Sequence, residues 1–130
     1  MATVQHLFDA MSLHDGSAAK ALFTPEATLV AIAPDGKVTS TPVEKWTERL
    51  AASKDTWLER IWDPKILEHG SIAVVWAPYD FHMGGKFSHC GIDSVSLIKS
   101  EGGWRISGLS FTRQTSGCPA SPLGPPKAGQ

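Results

Sequence analysis

The stretch that decides the fold, residues 72–99, reads IAVVWAPYDFHMGGKFSHCGIDSVSLIK. Two long runs rich in β-branched and aromatic residues flank Gly84-Gly85, and a glycine pair in this setting is typical of a tight β-hairpin. Residues 101–103, a second glycine turn, lead into a further strand-like run over residues 104–114. Residues 57–63 alternate apolar and charged side chains. The second half of the chain is therefore predicted to be an antiparallel meander of three or four strands.

The first half of the chain is predicted to hold helices around one small hairpin. Apolar residues at helical spacing indicate an amphipathic first helix: Val4, Leu7, Phe8 and Met11. Asp15 and Ser17 are candidate caps for a second, short helix. Residues 27–33 and 37–40 flank a Pro-Asp-Gly turn, which predicts a β-hairpin.

Residues 41–44, TPVE, carry the pattern of a helix start. Thr41 is the predicted N-cap, Pro42 the first helical residue and Glu44 the third, which together form a capping box. The third helix is expected to end near Ala52 and to bury one apolar face, made of Val43, Trp46 and Leu50.

Composition excludes several classes of function. The chain has 130 residues, of which 42% are hydrophobic and 19% charged, values typical of one globular domain. A net charge of −1 without a basic stripe excludes nucleic acid and anionic membranes as expected partners. We see no signal peptide and no membrane-spanning run, which predicts a cytoplasmic protein. One domain is expected over residues 1–114, followed by a Pro/Gly-rich tail over residues 115–130.

Two cysteines are too few for a disulfide framework. Reduced thiols in the cytoplasm are the simplest interpretation of Cys90 and Cys118. A single bond between them stays open as the alternative.

The hairpin also predicts which side chains share a face. If the turn at Gly84-Gly85 is symmetric, residues equally distant from it lie opposite one another. Side chains alternate along each strand, so one face collects four pairs: Asp80 with His89, His82 with Phe87, Trp76 with Asp93, and Val74 with Val95. Tyr79 is placed on the other face. Glu59 and Arg113 are interpreted as surface or interface charges.

Asp93 and His89 are the candidate catalytic residues. Apolar neighbours would raise the pKa of the Asp93 carboxyl toward the range of a general acid or base, and a histidine can assist it. The candidate ligand-binding residues are Trp46, Trp57, Trp76, Asp80 and His82. A metal site built from Asp80 and two histidines is disfavoured because no recognised ligand spacing is present, so no metal is expected. A polar pair that stabilises the sheet without chemistry is the alternative interpretation of Asp93 and His89.

Four segments carry a family resemblance: residues 22–29 (LFTPEATL), the capped helix at Thr41, residues 88–93 (SHCGID) and residues 103–106 (GWRI). Over residues 4–118 the chain resembles the nuclear transport factor 2-like (NTF2-like) superfamily, in particular its SnoaL-like and lumazine-binding-like bacterial group. The resemblance implies an α+β cone, in which N-terminal helices pack into a strongly curved antiparallel β-sheet. It also implies a pocket at the wide end of the cone.

Members of this superfamily include isomerases, dehydratases and cyclases that need no cofactor, and proteins that only bind ligands or dimerise through the sheet. The resemblance does not settle function. The first hypothesis is a pocket for a small apolar molecule, in which Asp93 abstracts a proton with help from His89. The second is a non-catalytic binding or dimerisation module. The isomerase pattern needs a tyrosine in the pocket, and the predicted register directs Tyr79 away from it. A homodimer through the sheet is the expected assembly.

Overall fold

The computed structural model describes residues 1–126, so the last four residues of the predicted tail lie outside the described part. Its helices are α1 (Ala2–Ser12), α2 (Gly16–Ala21) and α3 (Val43–Ala52). Its strands are β1 (Thr28–Ile32), β2 (Val38–Pro42), β3 (Trp57–Ile61), β4 (Lys65–His69), β5 (Ile72–Met83), β6 (Lys86–Ser100) and β7 (Gly103–Thr112).

The helices form where the sequence pattern predicts them. The apolar stripe of α1 is buried, as are Val43 and Leu50 on α3. Asp15 caps α2, because its carboxylate accepts a hydrogen bond from the Ala18 amide at 3.0 Å. The prediction of a capping box at Thr41 is wrong, because this residue lies in β2 opposite Leu29. The helix α3 starts after Pro42 without a side-chain cap. Because Thr41 pairs with β1 as part of β2, it is not the residue that precedes the first turn of α3.

The strands form one seven-stranded sheet in the order β2-β1-β7-β6-β5-β3, with β4 pairing the other half of β5. The sheet is mixed rather than wholly antiparallel, because β1 and β7 run parallel. β2 and β3 end the order without pairing each other, so the curled sheet stays open. The helices pack into its inner face and complete one hydrophobic core with residues from β1, β5, β6 and β7. The predicted α+β cone is confirmed.

The predicted hairpin register is right only at the tip. His82 lies opposite Phe87 and Met83 opposite Lys86, as a two-residue turn requires. A bulge then shifts the pairing by one residue, so that Phe81 faces His89. A one-residue shift moves every later side chain of one strand to the other face relative to its partner.

The inner face therefore differs from the predicted one along β5. Buried residues at every second position of β5 point inward together with His89 and Asp93 of β6: Ala73, Val75, Ala77, Tyr79 and Phe81. Trp76, Asp80 and His82 project from the outer face instead.

The tail crosses the outer face of the sheet and is fastened there. Cys90 and Cys118 form a disulfide, which contradicts the expectation of reduced thiols. Backbone hydrogen bonds of 2.8 and 2.9 Å between Cys90 and Gln114 hold the start of the tail beside β6. Within residues 1–126, no helix is long and apolar enough to cross a membrane.

Candidate functional site

A cavity of about 300 Å³ lies between the helices and the inner face of the sheet. Its apolar wall comes from α1, α3 and strands of the sheet, and includes Phe8, Met11, Leu29, Trp46, Trp57, Phe81, Leu109 and Phe111. Its ionisable groups are Arg49, Glu59, His89, Asp93 and Arg113. A mainly apolar concavity with a few converging polar groups is the usual form of a small-molecule site. We call this space the inner cavity.

Asp93 is the less exposed of the two acids that line the inner cavity. It sits in the middle of β6 between Ala77 of β5 and Phe111 of β7, and only 4% of its surface is exposed. Burial raises the pKa of the Asp93 carboxyl to about 6, against a smaller lowering by a hydrogen bond from Glu59. Apart from the Glu59 carboxyl, its buried Oδ2 finds no hydrogen-bond partner among residues 1–126. The small part of the Asp93 surface that stays exposed lines the cavity, so a ligand can reach the carboxyl there.

Glu59 is the second acid, and the prediction that it is a surface charge is wrong. It points from β3 into the inner cavity beside Asp93. Burial raises the pKa of the Glu59 carboxyl well above its usual value, and the nearby Asp93 charge raises this pKa further. The two neighbouring carboxyls therefore resist simultaneous ionisation, which favours the protonated form of Glu59 beside an ionised Asp93. Alternation could have located Glu59, because a buried Trp57 at the start of β3 places residue 59 on the same face.

His89 lines the same cavity as a neutral group, four residues before Asp93 on β6. Burial lowers the pKa of His89 to about 4, and the positive charge of Arg113 adds to this effect. Its Nδ1 hydrogen-bonds with the Ser88 hydroxyl at 2.9 Å. Its ring packs against Phe81 at 5.0 Å and against Tyr79 at 5.7 Å between centroids. Within the described chain, nothing hydrogen-bonds its Nε2, which leaves that atom to a ligand.

Tyr79 lies on the Asp93 face, which contradicts the predicted register. Its hydroxyl donates a 2.6 Å hydrogen bond to the Thr112 carbonyl, and this occupies the only proton the phenol has. The close approach of the Thr112 carbonyl to β6 depends on Gly91, since a Cβ at residue 91 would stand 2.1 Å from the same carbonyl oxygen. Burial raises the pKa of the Tyr79 phenol, and the charges of Asp93 and Glu59 raise it further. Tyr79 is a neutral structural donor beneath the site.

Of the three tryptophans predicted to bind the ligand, two line the inner cavity and one does not. Trp46 of α3 and Trp57 of β3 line the inner cavity with ring centroids 6.1 Å apart. The Trp57 indole N–H is already used, because it donates to the Ser53 hydroxyl at 2.9 Å. Trp76 is 50% exposed on the outer face opposite Ser94, so the prediction that it lies beside Asp93 is wrong.

Asp80 and His82 also lie on the outer face, away from the inner cavity. Asp80 accepts two hydrogen bonds from Arg60, at 3.0 and 2.6 Å, in a buried ion pair. His82 Nδ1 lies 3.9 Å from Asp80 Oδ1. Both residues line a separate groove of about 800 Å³ between the sheet and the tail. Asp80 and His82 therefore do not meet His89, and residues 1–126 contain no metal-binding cluster of three or more His, Cys, Asp or Glu residues.

Arg49 and Arg113 also line the inner cavity, and neither was predicted to lie there. Arg49 comes from the last turn of α3, and Arg113 follows β7 directly. Both are exposed and both contact the cavity, so they lie at its mouth. The interpretation of Arg113 as a surface or interface charge is incomplete, because this exposed residue also lines the cavity.

Comparison with known proteins identifies the fold of this site. The chain resembles an NTF2-like protein of unknown function from Shewanella baltica (18% identity, TM-score 0.66, 88% of this chain and 90% of that one). It also resembles an NTF2-like protein from Cytophaga hutchinsonii (15%, TM-score 0.70, 86% and 93%). A third similar structure, from Streptomyces avermitilis, is described as a "putative dehydratase from the NTF2-like family" (14%, TM-score 0.69, 86% and 91%). At these identities the likeness establishes the fold alone.

The family is identified by a match to the sequence. No protein with a curated description matches it. The profile of the family described as "Putative lumazine-binding" matches residues 1–112, which span every helix and strand described above. The chain therefore belongs to the putative lumazine-binding family and has the NTF2-like fold.

Proposed function

We propose that the inner cavity binds a small apolar molecule and that Asp93 transfers a proton to or from it without a cofactor. The observation that carries this proposal is the Asp93 carboxyl, which is 4% exposed, lines an apolar cavity and has no hydrogen-bond partner within residues 1–126 apart from the Glu59 carboxyl. A buried carboxyl with so few hydrogen bonds costs stability, and perturbed ionisable groups of this kind cluster at functional sites.

The proposed chemistry is abstraction of a proton from a carbon next to a carbonyl group. With a pKa of about 6, Asp93 is mostly ionised at neutral pH and still basic enough to accept a proton. The raised pKa of Glu59 favours its protonated form, which can donate a hydrogen bond to the Asp93 carboxylate. The Ser88 hydroxyl can donate to His89 Nδ1, and Nε2–H then faces the cavity as the donor to the developing oxyanion.

A non-catalytic binding module is the second candidate, and Tyr79 favours it. Its hydroxyl is held by Thr112 and cannot reach a substrate oxygen without breaking that bond. The proposed enzyme then has His89 as its one hydrogen-bond donor to the oxyanion. A second donor would stabilise the oxyanion further and speed proton abstraction beside a carbonyl. Binding alone requires neither donor.

Native mass spectrometry of the purified protein tests the shared part of both candidates. A retained small molecule that is lost on denaturation supports a ligand-binding cavity. The second step is incubation with 5-nitrobenzisoxazole, whose ring opens to a coloured phenolate when a base removes its C–H proton. Acceleration of this opening supports the proton-transfer function, whereas a retained ligand without acceleration supports the binding module. Absence of both a retained molecule and acceleration would contradict both.

We also propose that the chain forms a homodimer through the outer face of the sheet. Three neighbouring strands, β4, β5 and β6, present an outer apolar patch there, composed of Leu67, Ile72, Trp76 and Ile98. These side chains are between 39% and 74% exposed, and exposed apolar clusters on a sheet mark association surfaces. A second copy suits the patch because an uncharged surface is complementary to itself across a two-fold axis.

The Trp76→Glu substitution is expected to convert the dimer into a monomer. A carboxylate in the outer apolar patch would be desolvated in the dimer with Lys65, directly opposite on β4, as its nearest positive charge, and the apolar contacts of the indole would be lost, which raises the dissociation constant by about 100-fold or more. Light scattering coupled to size-exclusion chromatography measures the mass. Leu13→Glu is the matched control, because Leu13 is 75% exposed at the end of α1, away from the sheet. A wild-type chain that is monomeric at a concentration of about 100 μM, well above the dissociation constants of stable dimers, would contradict the proposal.

A further inference from the structure

The mouth of the inner cavity carries two positive charges without counter-ions. Arg49 and Arg113 approach it from different elements, α3 and the end of β7. Neither forms an ion pair or a side-chain hydrogen bond with any of residues 1–126. Buried acids lie in the same cavity, yet the arginine side chains do not bind them. Both guanidinium groups are therefore free to bind a further group at this opening.

The charges that line the inner cavity do not cancel. His89 is neutral at pH 7, since its pKa is lowered to about 4. Burial and the Asp93 charge raise the pKa of Glu59 and favour its protonated form, so the two acids carry less negative charge than the two arginines carry positive charge. The cavity therefore has an excess of positive charge at its mouth, where a monoanion is complementary to it.

The inner wall of the cavity and its mouth favour different parts of a ligand. The inner wall is aromatic and aliphatic, with Trp46, Trp57 and Phe81 forming a chain of rings at centroid distances of 6.1 and 5.9 Å. This wall favours a flat apolar body. An anionic group could not sit deep, because the Asp93 carboxylate would repel it. It fits only at the mouth, where guanidinium groups bind carboxylates through paired hydrogen bonds.

We propose that the ligand of the inner cavity is an aromatic or cyclic carboxylate, with its ring inside and its carboxylate held by Arg49 and Arg113 at the mouth. This inference rests on the proposed ligand-binding function and specifies the class of ligand. It makes both arginines specificity-determining residues for the charge of the ligand, and it leaves the proton-transfer role of Asp93 unchanged.

Two probes of equal shape test the inference: 2-naphthoate, which is an anion at pH 7, and 2-naphthamide, which is neutral. Their dissociation constants are measured by titration of ¹H–¹⁵N amide spectra with the wild type, Arg49→Gln, Arg113→Gln and the double variant. Arg105→Gln is the control, because Arg105 contacts the Ala21 carbonyl and lies outside the cavity.

The wild type is expected to bind 2-naphthoate about tenfold or more tightly than 2-naphthamide, and about 300 mM NaCl should reduce this preference. Each single substitution should weaken 2-naphthoate binding by about threefold to tenfold, and the double variant should bind both probes equally. Binding of 2-naphthamide should stay unchanged in all variants. Equal wild-type affinity for both probes would overturn the carboxylate inference while leaving the binding function intact. Failure of both probes to bind would overturn the two together.

Discussion

Replacing Asp93 with asparagine is expected to slow the opening of 5-nitrobenzisoxazole by about 100-fold or more, because a general base contributes two to four orders of magnitude to proton transfer. The amide has the same shape as the carboxylate but cannot accept the proton. In the wild type the rate should rise with pH and level off above about 6, the pKa to which burial raises Asp93. Stopped-flow absorbance of the phenolate product measures both effects.

The same substitution is expected to stabilise the fold. The pKa of Asp93 is about 6 in the folded chain, whereas an unfolded aspartate has a pKa of about 3.9. The folded state holds this proton more tightly, so the stability contributed by the protonated carboxyl falls as pH rises from about 4 through about 6. The asparagine amide does not ionise, so at a pH of about 7.5 the variant should unfold with a free energy on the order of 2 kcal/mol above that of the wild type. The difference should disappear below a pH of about 4.

Glu59→Gln separates the two acids. Glutamine still donates a hydrogen bond to Asp93, so this variant should keep the rate of ring opening within about tenfold of the wild type. If Glu59→Gln abolished the reaction and Asp93→Asn spared it, the base would be Glu59.

The stability prediction for Asp93→Asn is measured by urea unfolding at pH values of about 4 and about 7.5. An Asp93→Asn variant that is less stable than the wild type at the higher pH would contradict the raised pKa of Asp93.

Gly91→Ala is expected to cost about 3 kcal/mol or more in the free energy of unfolding. An added Cβ would lie 2.1 Å from the Thr112 carbonyl oxygen and 2.6 Å from its Oγ1, so the backbone of β7 must move. That movement would also break the hydrogen bond from the Tyr79 hydroxyl and shift the floor of the inner cavity. Urea denaturation monitored by tryptophan fluorescence measures the loss.

Gly108→Ala is the matched control in the neighbouring strand. The nearest atom to a Cβ at residue 108 is the Thr28 carbonyl oxygen at 4.0 Å, an ordinary contact distance. We expect a change within about 0.5 kcal/mol. Equal losses for Gly91→Ala and Gly108→Ala would mean that the close approach of β7 to Gly91 does not explain the need for glycine.

Most of the fold could be predicted because local patterns determine it. The apolar stripe of α1, the Asp15 cap and the Gly84-Gly85 turn each specify one element without reference to the rest of the chain. The parallel pairing of β1 with β7 could not be predicted, since it joins segments that lie far apart in the sequence with no local signal.

The site was only half predictable because one bulge controls its composition. The alternation along β6 correctly groups His89 with Asp93, and the helix pattern places Trp46 against the sheet. The bulge beyond the hairpin tip exchanges the faces of β5, which removes Trp76 and Asp80 from the predicted group and brings in Tyr79. The unbroken apolar row at every second residue over positions 75–81 was the signal that these residues face the core.

The measurement that most directly tests the central claim is the transfer of nuclear Overhauser effects between bound 2-naphthoate and the protein. If the inner cavity is the binding site, the ring protons of the probe should show contacts to the Met11 methyl group and to the indole protons of Trp46 and Trp57. No contacts to Trp76 are expected, because it lies on the outer face. Contacts to Trp76 or to the groove beneath the tail, without contacts to Met11 and Trp57, would contradict a ligand site inside the cone.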